Sequence, residues 1–165
     1  MKKKTVFITG TTGSMGSAGL KILLERRDRF NIVTLVRPSE KNRKIMRPYA
    51  TESGLRIVWG DLTNYEDVLA CVTGADIVLH PAAMIAPEAD HDPVLARKIN
   101  VGSIENIVRA IKAQPDPDSI KLVNIGSVAM TGDRLYPIHV GRTGDPFKPS
   151  IYDAYACSKI DAERV

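Results

Sequence analysis

Tyr155 and Lys159, four residues apart in the run Tyr155-Ala156-Cys157-Ser158-Lys159, carry the clearest chemical signal in the chain. On a helix this spacing turns both side chains to one side, so the ammonium can lie near the phenol. A free tyrosine, with a pKa of about 10, is ionised to only about one part in a thousand at pH 7, too little for an efficient base. A neighbouring cation stabilises the phenolate and lowers that value. Tyr155 could then pass a proton to or from a substrate oxygen while hydride moves at the adjoining carbon. Ser127, at a strand end in Asn124-Ile125-Gly126-Ser127, is placed to hydrogen-bond the same oxygen. Asn100, in a preceding long helix, could support a bound water or that helix's geometry. Each feature has a plain alternative: Tyr and Lys at this spacing decorate many solvated helices, and a strand-end Ser is often a turn former.

Hydride chemistry needs a carrier, and the N-terminal end offers a place for one. Thr9-Gly10-Thr11-Thr12-Gly13-Ser14-Met15-Gly16 follows the apolar run Val6-Phe7-Ile8 and opens onto Leu20, Leu23 and Leu24 at helical spacing, a strand, glycine turn and helix. Gly10 can turn the chain sharply, Gly13 leaves room for a phosphate, and Gly16 lets helix and strand approach. The helix start offers unpaired N–H groups and a favourable dipole to negative charge, which makes Gly10, Thr12, Gly13, Ser14, Met15 and Gly16 the expected cofactor contacts. A tight turn without a ligand would use the same glycines.

Strand-like runs recur at 5–9, 32–36, 55–59, 76–80 and 120–125, nearly continuous in Val, Ile and Leu, as in a sheet covered on both faces. Between them lie helix signals. Thr63 with Glu66 reads as a capping box, Gly74 as a helix C-terminus, and Asp92-Pro93 as an N-cap with its first helical residue. Ile104, Ile107, Val108 and Ile111 form one apolar stripe, ended by Pro115 and Pro117. Pro48 limits 39–53 to a short helix and a loop, and Gly54 turns the chain into the third strand. Alternating strands and helices with right-handed crossovers give a parallel, doubly wound α/β sheet over residues 1–165.

Three further sites sit at strand ends. Val36-Arg37-Pro38 offers a guanidinium where an acid would bind the ribose hydroxyls of NAD, so Arg37 favours the 2′-phosphate of NADP unless it is merely a solvated surface arginine. Lys41, Arg43 and Lys44 could add to the field. Asp61 could accept the adenine amino group with Leu62 against the ring, or simply favour the dipole of the next helix. In His80-Pro81-Ala82-Ala83 the small residues Ala82 and Ala83 would let a flat ring pass, and His80 reads as a structural strand-end histidine.

Composition agrees with one soluble domain: 165 residues, 44% hydrophobic and 25% charged. The basic start Met1 to Lys4 precedes too short an apolar run for an export signal, and no membrane span is expected. Cys71 and Cys157 lack metal or redox spacing, which fits a reduced cytoplasmic setting and no metal. The net charge of +4 is interleaved with acids, so no nucleic-acid partner is expected.

Taken together and in this order, these motifs resemble the short-chain dehydrogenase/reductase superfamily. Gly10-x-x-Gly13-x-x-Gly16 is similar to its extended branch, the nucleotide-sugar epimerases and dehydratases and the dihydroflavonol-reductase-like carbonyl reductases. Asp61-Leu62, His80-x-Ala82-Ala83, Asn100-Val101-x-x-x-x-Asn106, Ser127 and the helix from Asp153 to Arg164 carry the same resemblance. It implies a Rossmann fold, a cofactor role for Lys159 on the nicotinamide ribose, proton transfer by Tyr155 from a place in the cofactor site, substrate-oxygen binding by Ser127, and an adenine role for Asp61. Gly126 departs from relatives that have Ser or Thr there. Extended relatives also continue past this length, so the resemblance implies a sheet incomplete at its C-terminal edge, an absent substrate lobe, and at best cofactor binding by this piece alone. The reading expects an NADP-dependent oxidoreductase acting on a small-molecule carbonyl or alcohol, with an NAD-dependent epimerase/dehydratase or a non-catalytic dinucleotide-binding module as alternatives. A homodimer through the long and catalytic helices is the partner it implies; the same apolar stripe could instead face the sheet.

Overall fold

A computed structural model describes residues 3–132 and 144–165. The first two residues of the basic start therefore lie outside the described part. Two compact units are present, one of Met1–Ala82 with Asn106–Asn124 and the other of Ala83–Glu105 with Ile125–Val165.

The first unit holds a five-stranded sheet: β1 (Lys4–Ile8), β2 (Phe30–Val36), β3 (Leu55–Trp59), β4 (Ile77–His80) and β5 (Lys121–Asn124), in the order β3-β2-β1-β4-β5. Every described pairing is parallel. The order runs outward from β1 to β3 and then returns past β1 to β4, so the direction of winding reverses between β1 and β4. Ligand crevices of open parallel sheets form at such a reversal, outside the carboxyl ends of the strands. The five strands match the apolar runs to within two residues at each end. Val6 to Ile8 and Ile32 to Val36 are buried without interruption, as strands covered on both faces must be. β3 and β5, the outer strands, are more open.

Side-chain alternation divides the core. Val6, Ile8, Ile32 and Val36 pack with Leu20 and Leu23 of α1 (Ser14–Glu25) and with Met46 of α2 (Glu40–Met46). Phe7, Val33, Leu35 and Val78 alternate with them and point to the opposite face. α3 (Tyr65–Val72) buries Val68, Cys71 and Val72. Burial, opposed by nearby Arg56 and reinforced by Asp67, pushes the Cys71 thiol up to about 11, so it behaves as a small core hydrophobe rather than a nucleophile.

The helix signals resolve with one correction. The cap of α3 is Asn64, whose Oδ1 accepts from Glu66 N–H at 3.0 Å; Thr63 instead donates its N–H and hydroxyl to Asp61 Oδ1, each at 2.8 Å. The Asp61 carboxylate takes Thr63 into a tight local turn, and the helix starts one residue later than the Thr63–Glu66 pattern suggests. Gly54 and Gly74 occupy positive φ at the expected turns. Residues 39–53 form α2 and a single 3-10 turn, Arg47–Tyr49, with Pro48 inside it.

α4 (Glu88–His91) belongs to the second unit, and α5 (Pro93–Lys112) begins there and ends in the first. Asp92 caps α5 by accepting from Leu95 N–H at 2.9 Å. Ile104 and Ile107 of the apolar stripe are buried within the chain itself. α6 (Ala154–Glu163) carries Tyr155 and Lys159 and is capped by Asp153, whose Oδ1 accepts from Ala156 N–H at 2.7 Å.

Candidate dinucleotide and hydride-transfer sites

The glycine turn is built for close backbone approach. Gly10 has φ +63°, and a Cβ on it would stand 3.0 Å from Ala82 Cα. A Cβ on Gly16 would run into the Gly10 carbonyl group and stand 2.8 Å from Thr11 N, all of it backbone. Gly13 differs: a Cβ there would meet only Gly10 O, at 3.4 Å. It is the exposed N-cap of α1, with no side-chain cap and no acid in the first turn. The first-turn N–H groups of a helix have no intrahelical partner, so this bare, acid-free start is suited to an external anion. Thr12, Ser14 and Met15 lie beside it, Met15 being 59% exposed. These features fit the phosphates of a dinucleotide.

Two buried threonines missed by sequence reasoning hold the turn. Thr11 Oγ1 bonds Thr34 Oγ1 at 2.8 Å, fastening the turn to β2. Thr9 Oγ1 lies 2.9 Å from His80 Nδ1 and accepts from Ala82 N–H at 3.2 Å, tying the end of β1 to the end of β4 across the reversal of strand order. His80, 2% exposed, has the structural place expected of it. Thr9→Val strips a buried ring nitrogen and a backbone N–H of this partner. We expect a loss of about 1–3 kcal/mol of unfolding free energy in urea titration; a midpoint unchanged from wild type would refute the bracing role.

Asp61 sits at the carboxyl end of β3 in a second local knot. Its N–H donates to Asp67 Oδ2 at 2.9 Å, and a Cβ on Gly60 would come within 2.5 Å of that same oxygen, so a larger residue there would have to displace the Asp67 carboxylate. Leu62 O accepts from Asn106 Nδ2 of α5 at 2.9 Å, which fixes the Asp61-Leu62 turn from a different element. Nothing in the sequence alone assigned Asn106 this task.

Arg37 is exposed just beyond β2, and its carbonyl accepts from Asn42 Nδ2 at 2.8 Å. Arg43 lies 4.7 Å from the centre of the Trp59 ring, and with Lys44 and Arg47 it lines a groove of about 510 Å³ beside β3.

In the second unit, α6 buries Lys159 to 5% exposure while leaving Tyr155 half-buried. Burial lowers the Lys159 pKa from the ordinary lysine value; Glu163, one turn on, pulls the other way. Lys159 makes no hydrogen bond or ion pair among the described residues. Two acids of the same helix and its cap are otherwise engaged: Asp153 caps the helix, and Asp161 pairs with Arg97 and Arg164. Asn100, 3% exposed, spends its amide on protein. Its Oδ1 accepts from Met84 N–H at 2.7 Å, and its Nδ2 donates to Met84 O at 2.9 Å and to Ser158 Oγ at 2.8 Å. It thereby joins α6 to the segment that begins with Ala83. Ser127 Oγ accepts from Ala129 N–H at 3.2 Å at the start of a 3-10 turn, Val128–Thr131. That leaves the hydroxyl's own hydrogen to donate elsewhere. A Cβ at Gly126 would meet only Met130 Sδ, at 3.7 Å, so crowding at that atom does not explain the glycine there. No described helix is long and apolar enough to cross a membrane, and no described cluster of three His, Cys, Asp or Glu could hold a metal.

A parallel sheet reversing at β1 and β4, with a glycine turn at that point, defines the dinucleotide-binding α/β class. The sequence profile of the NAD dependent epimerase/dehydratase family matches residues 6–165, and the chain belongs to that family, in keeping with the extended short-chain dehydrogenase/reductase resemblance. It is 32% identical over 142 residues to the UDP-glucose 4-epimerase of Rickettsia canadensis (strain McKiel), covering 83% of this chain and 39% of that protein. It is 31% identical over 109 residues to the UDP-N-acetylglucosamine 4,6-dehydratase (inverting) of Campylobacter jejuni, covering 66% and 32%. Among solved structures, the Bordetella bronchiseptica enzyme WbmH in complex with NAD+ superposes with a TM-score of 0.80 at 24% identity, covering 99% of this chain and 52% of that one. The UDP-glucose 4-epimerase of Thermus thermophilus in complex with NAD gives 0.75 at 24% identity, covering 97% and 49%. Those two likenesses establish the fold. The chain spans 39% or less of the length of these two curated relatives.

Proposed function

We propose that the protein containing this chain is a cytoplasmic NAD(P)-dependent enzyme that moves hydride at a carbon bearing an alcohol or carbonyl oxygen of a small molecule, with NADP as its cofactor. The observation that carries the reading is the buried Lys159 cation, without a hydrogen bond or ion pair among the described residues, one helical turn after Tyr155. A buried ammonium is costly unless a ligand or a developing negative charge repays it, which is why such groups concentrate at functional sites. In this reading the glycine turn and the start of α1 bind the dinucleotide phosphates, Asp61 and Leu62 the adenine, and Ala82 and Ala83 leave room for the flat ring. Lys159 holds the nicotinamide ribose. When bound, the nicotinamide would accept hydride from an alcohol carbon in its oxidised form or donate it to a carbonyl carbon in its reduced form. Tyr155 exchanges the proton at the substrate oxygen, which Ser127 also hydrogen-bonds, so the C–O bond changes order without free charge building on the oxygen. Asn100 keeps α6 in place for both. Residues 1–165 form the dinucleotide-binding part, and substrate choice rests with residues beyond it.

In the protein containing this chain, Tyr155→Phe should lower turnover by about 10²–10⁴-fold, the usual worth of a positioned acid–base group, with cofactor affinity unchanged. Turnover within twofold of wild type would remove Tyr155 from the chemistry.

Arg37 supports NADP over NAD because its guanidinium can form paired, charge-assisted hydrogen bonds with a 2′-phosphate. Arg37→Ala should cut the NADP-to-NAD affinity ratio by about tenfold to a hundredfold, the scale of one charge-assisted contact, in a titration with both cofactors. The second reading, an NAD-retaining nucleotide-sugar epimerase or dehydratase, is favoured by the family and by both curated relatives. It is chosen if wild type prefers NAD and Arg37→Ala leaves that preference unchanged.

A further inference from the structure

We propose that Asn42 is a positioning residue for cofactor selection, fixing the backbone from which Arg37 reaches the 2′-phosphate; this rests on the NADP reading above. Arg37 is exposed, long and flexible, and it has no ion partner among the described residues. What fixes its direction must be the chain that carries it.

That chain is held on both sides. Before it, Val36 is the last residue of β2, opposite Trp59, and its carbonyl accepts from Gly60 N–H at 3.0 Å. After it, Pro38 has a fixed φ and biases Arg37 itself toward an extended conformation. Ser39 then caps α2: its Oγ accepts from Asn42 N–H at 3.1 Å, and its carbonyl from Arg43 N–H at 2.9 Å. The Asn42 side chain closes the remaining gap, its Nδ2 donating to Arg37 O at 2.8 Å. One residue therefore ties the first turn of the helix to the peptide group that carries the guanidinium. Without that tie the carbonyl of Arg37 has no described protein donor, and the link between Val36 and Ser39 loses its tether.

The residue type fits the task. Aspartate is as short but cannot donate when ionised, and it would set a negative charge beside the phosphate; alanine keeps the backbone N–H that serves the Ser39 cap and loses only the bond to Arg37. Nor do the neighbouring cations substitute for a well-aimed Arg37. Arg43 is drawn over the Trp59 ring, and Lys44 and Arg47 line the groove beside β3.

The test is a titration of wild type, Asn42→Ala, Asn42→Asp and Arg37→Ala with NADP and with NAD. Asn42→Ala should lower the NADP-to-NAD affinity ratio by about threefold to tenfold, the worth of one hydrogen bond, with NAD affinity within about twofold of wild type. Asn42→Asp should lower the ratio further. A merely structural role would weaken both cofactors together and leave the ratio alone, and that result overturns the proposal. If Arg37→Ala collapses the ratio and neither Asn42 variant moves it, positioning by Asn42 is wrong while the NADP reading stands. If Arg37→Ala leaves the ratio unchanged, the NADP reading fails and the role of Asn42 fails with it. Should Asn42→Ala fold poorly by its thermal midpoint, Asn42→Ser removes the same donor and carries the same expectation.

Discussion

Gly16→Ala is expected to cost about 3 kcal/mol or more of stability, at the upper end of the range for overpacking a closely packed site, and with it cofactor binding. The added methyl would overlap the carbonyl of Gly10 and press on Thr11 N, and every atom it meets is backbone. No rotamer change can make room. The two ways out are to lift the start of α1 from the turn or to distort Gly10, which already occupies φ +63° against Ala82. Lifting α1 would pull Leu20 and Leu23 from the cluster they share with Val6 and Ile8, and distorting the turn would strain the Thr11–Thr34 tie. Gly13→Ala is the control that separates folding from binding. Its methyl would meet only Gly10 O at 3.4 Å, an ordinary contact, so the fold should lose no more than about 1 kcal/mol, the cost of alanine at an N-cap. On the proposed function that methyl stands where the phosphates approach, and NADP affinity should fall by about tenfold or more, about 1.4 kcal/mol. A Gly16→Ala chain as stable as wild type would refute the steric account, and a Gly13→Ala chain with unchanged affinity would remove Gly13 from the cradle.

The contrast between those glycines marks how far the sequence could be read. The strands were legible because β1 and β2 are buried on both faces and must be continuously apolar, as Val6-Phe7-Ile8 and Ile32 to Val36 are. The glycine turn and α6 were legible because spacing along one element decides which side chains share a face. The braces were not. Thr9 meets His80 across 71 residues of sequence, Asn106 meets Leu62 across 44, and Asn100 meets Ser158 across 58. A short polar side chain carries no periodic signal for its partner; the approach of two elements decides it. The misplaced cap of α3 has a local form of the same cause, since Thr63, Asn64 and Asp61 are all capable of turn and cap bonds. The geometry that gives Thr63 to Asp61 leaves Asn64 to start the helix.

Lys159→Met should leave the chain more stable and disable it. The ammonium is 5% exposed, and burial lowers its pKa against the weaker opposing pull of Glu163, so in the absence of ligand the charge opposes folding. Methionine has similar length and no charge, and the exchange should raise the unfolding free energy by about 1 kcal/mol or more. The pH dependence gives the sign. A lysine whose folded pKa lies below its unfolded value of 10.5 binds fewer protons when folded between those two values, so its contribution to stability rises with pH across that window. Below the folded pKa the cost is fully present and constant. The advantage of Lys159→Met should therefore be largest near neutral pH and shrink as pH climbs toward the ordinary lysine range, measured by urea unfolding at a series of pH values. Glu163→Gln removes the nearby charge that favours the ammonium and should deepen the wild-type cost without touching the Met variant. Cofactor titration supplies the other half: Lys159→Met should bind NADP at least about tenfold more weakly, about 1.4 kcal/mol, although it is the more stable protein. A variant less stable than wild type near neutral pH would mean that the ammonium is satisfied in the free fold. Undiminished NADP affinity would mean that the buried cation serves something other than the cofactor.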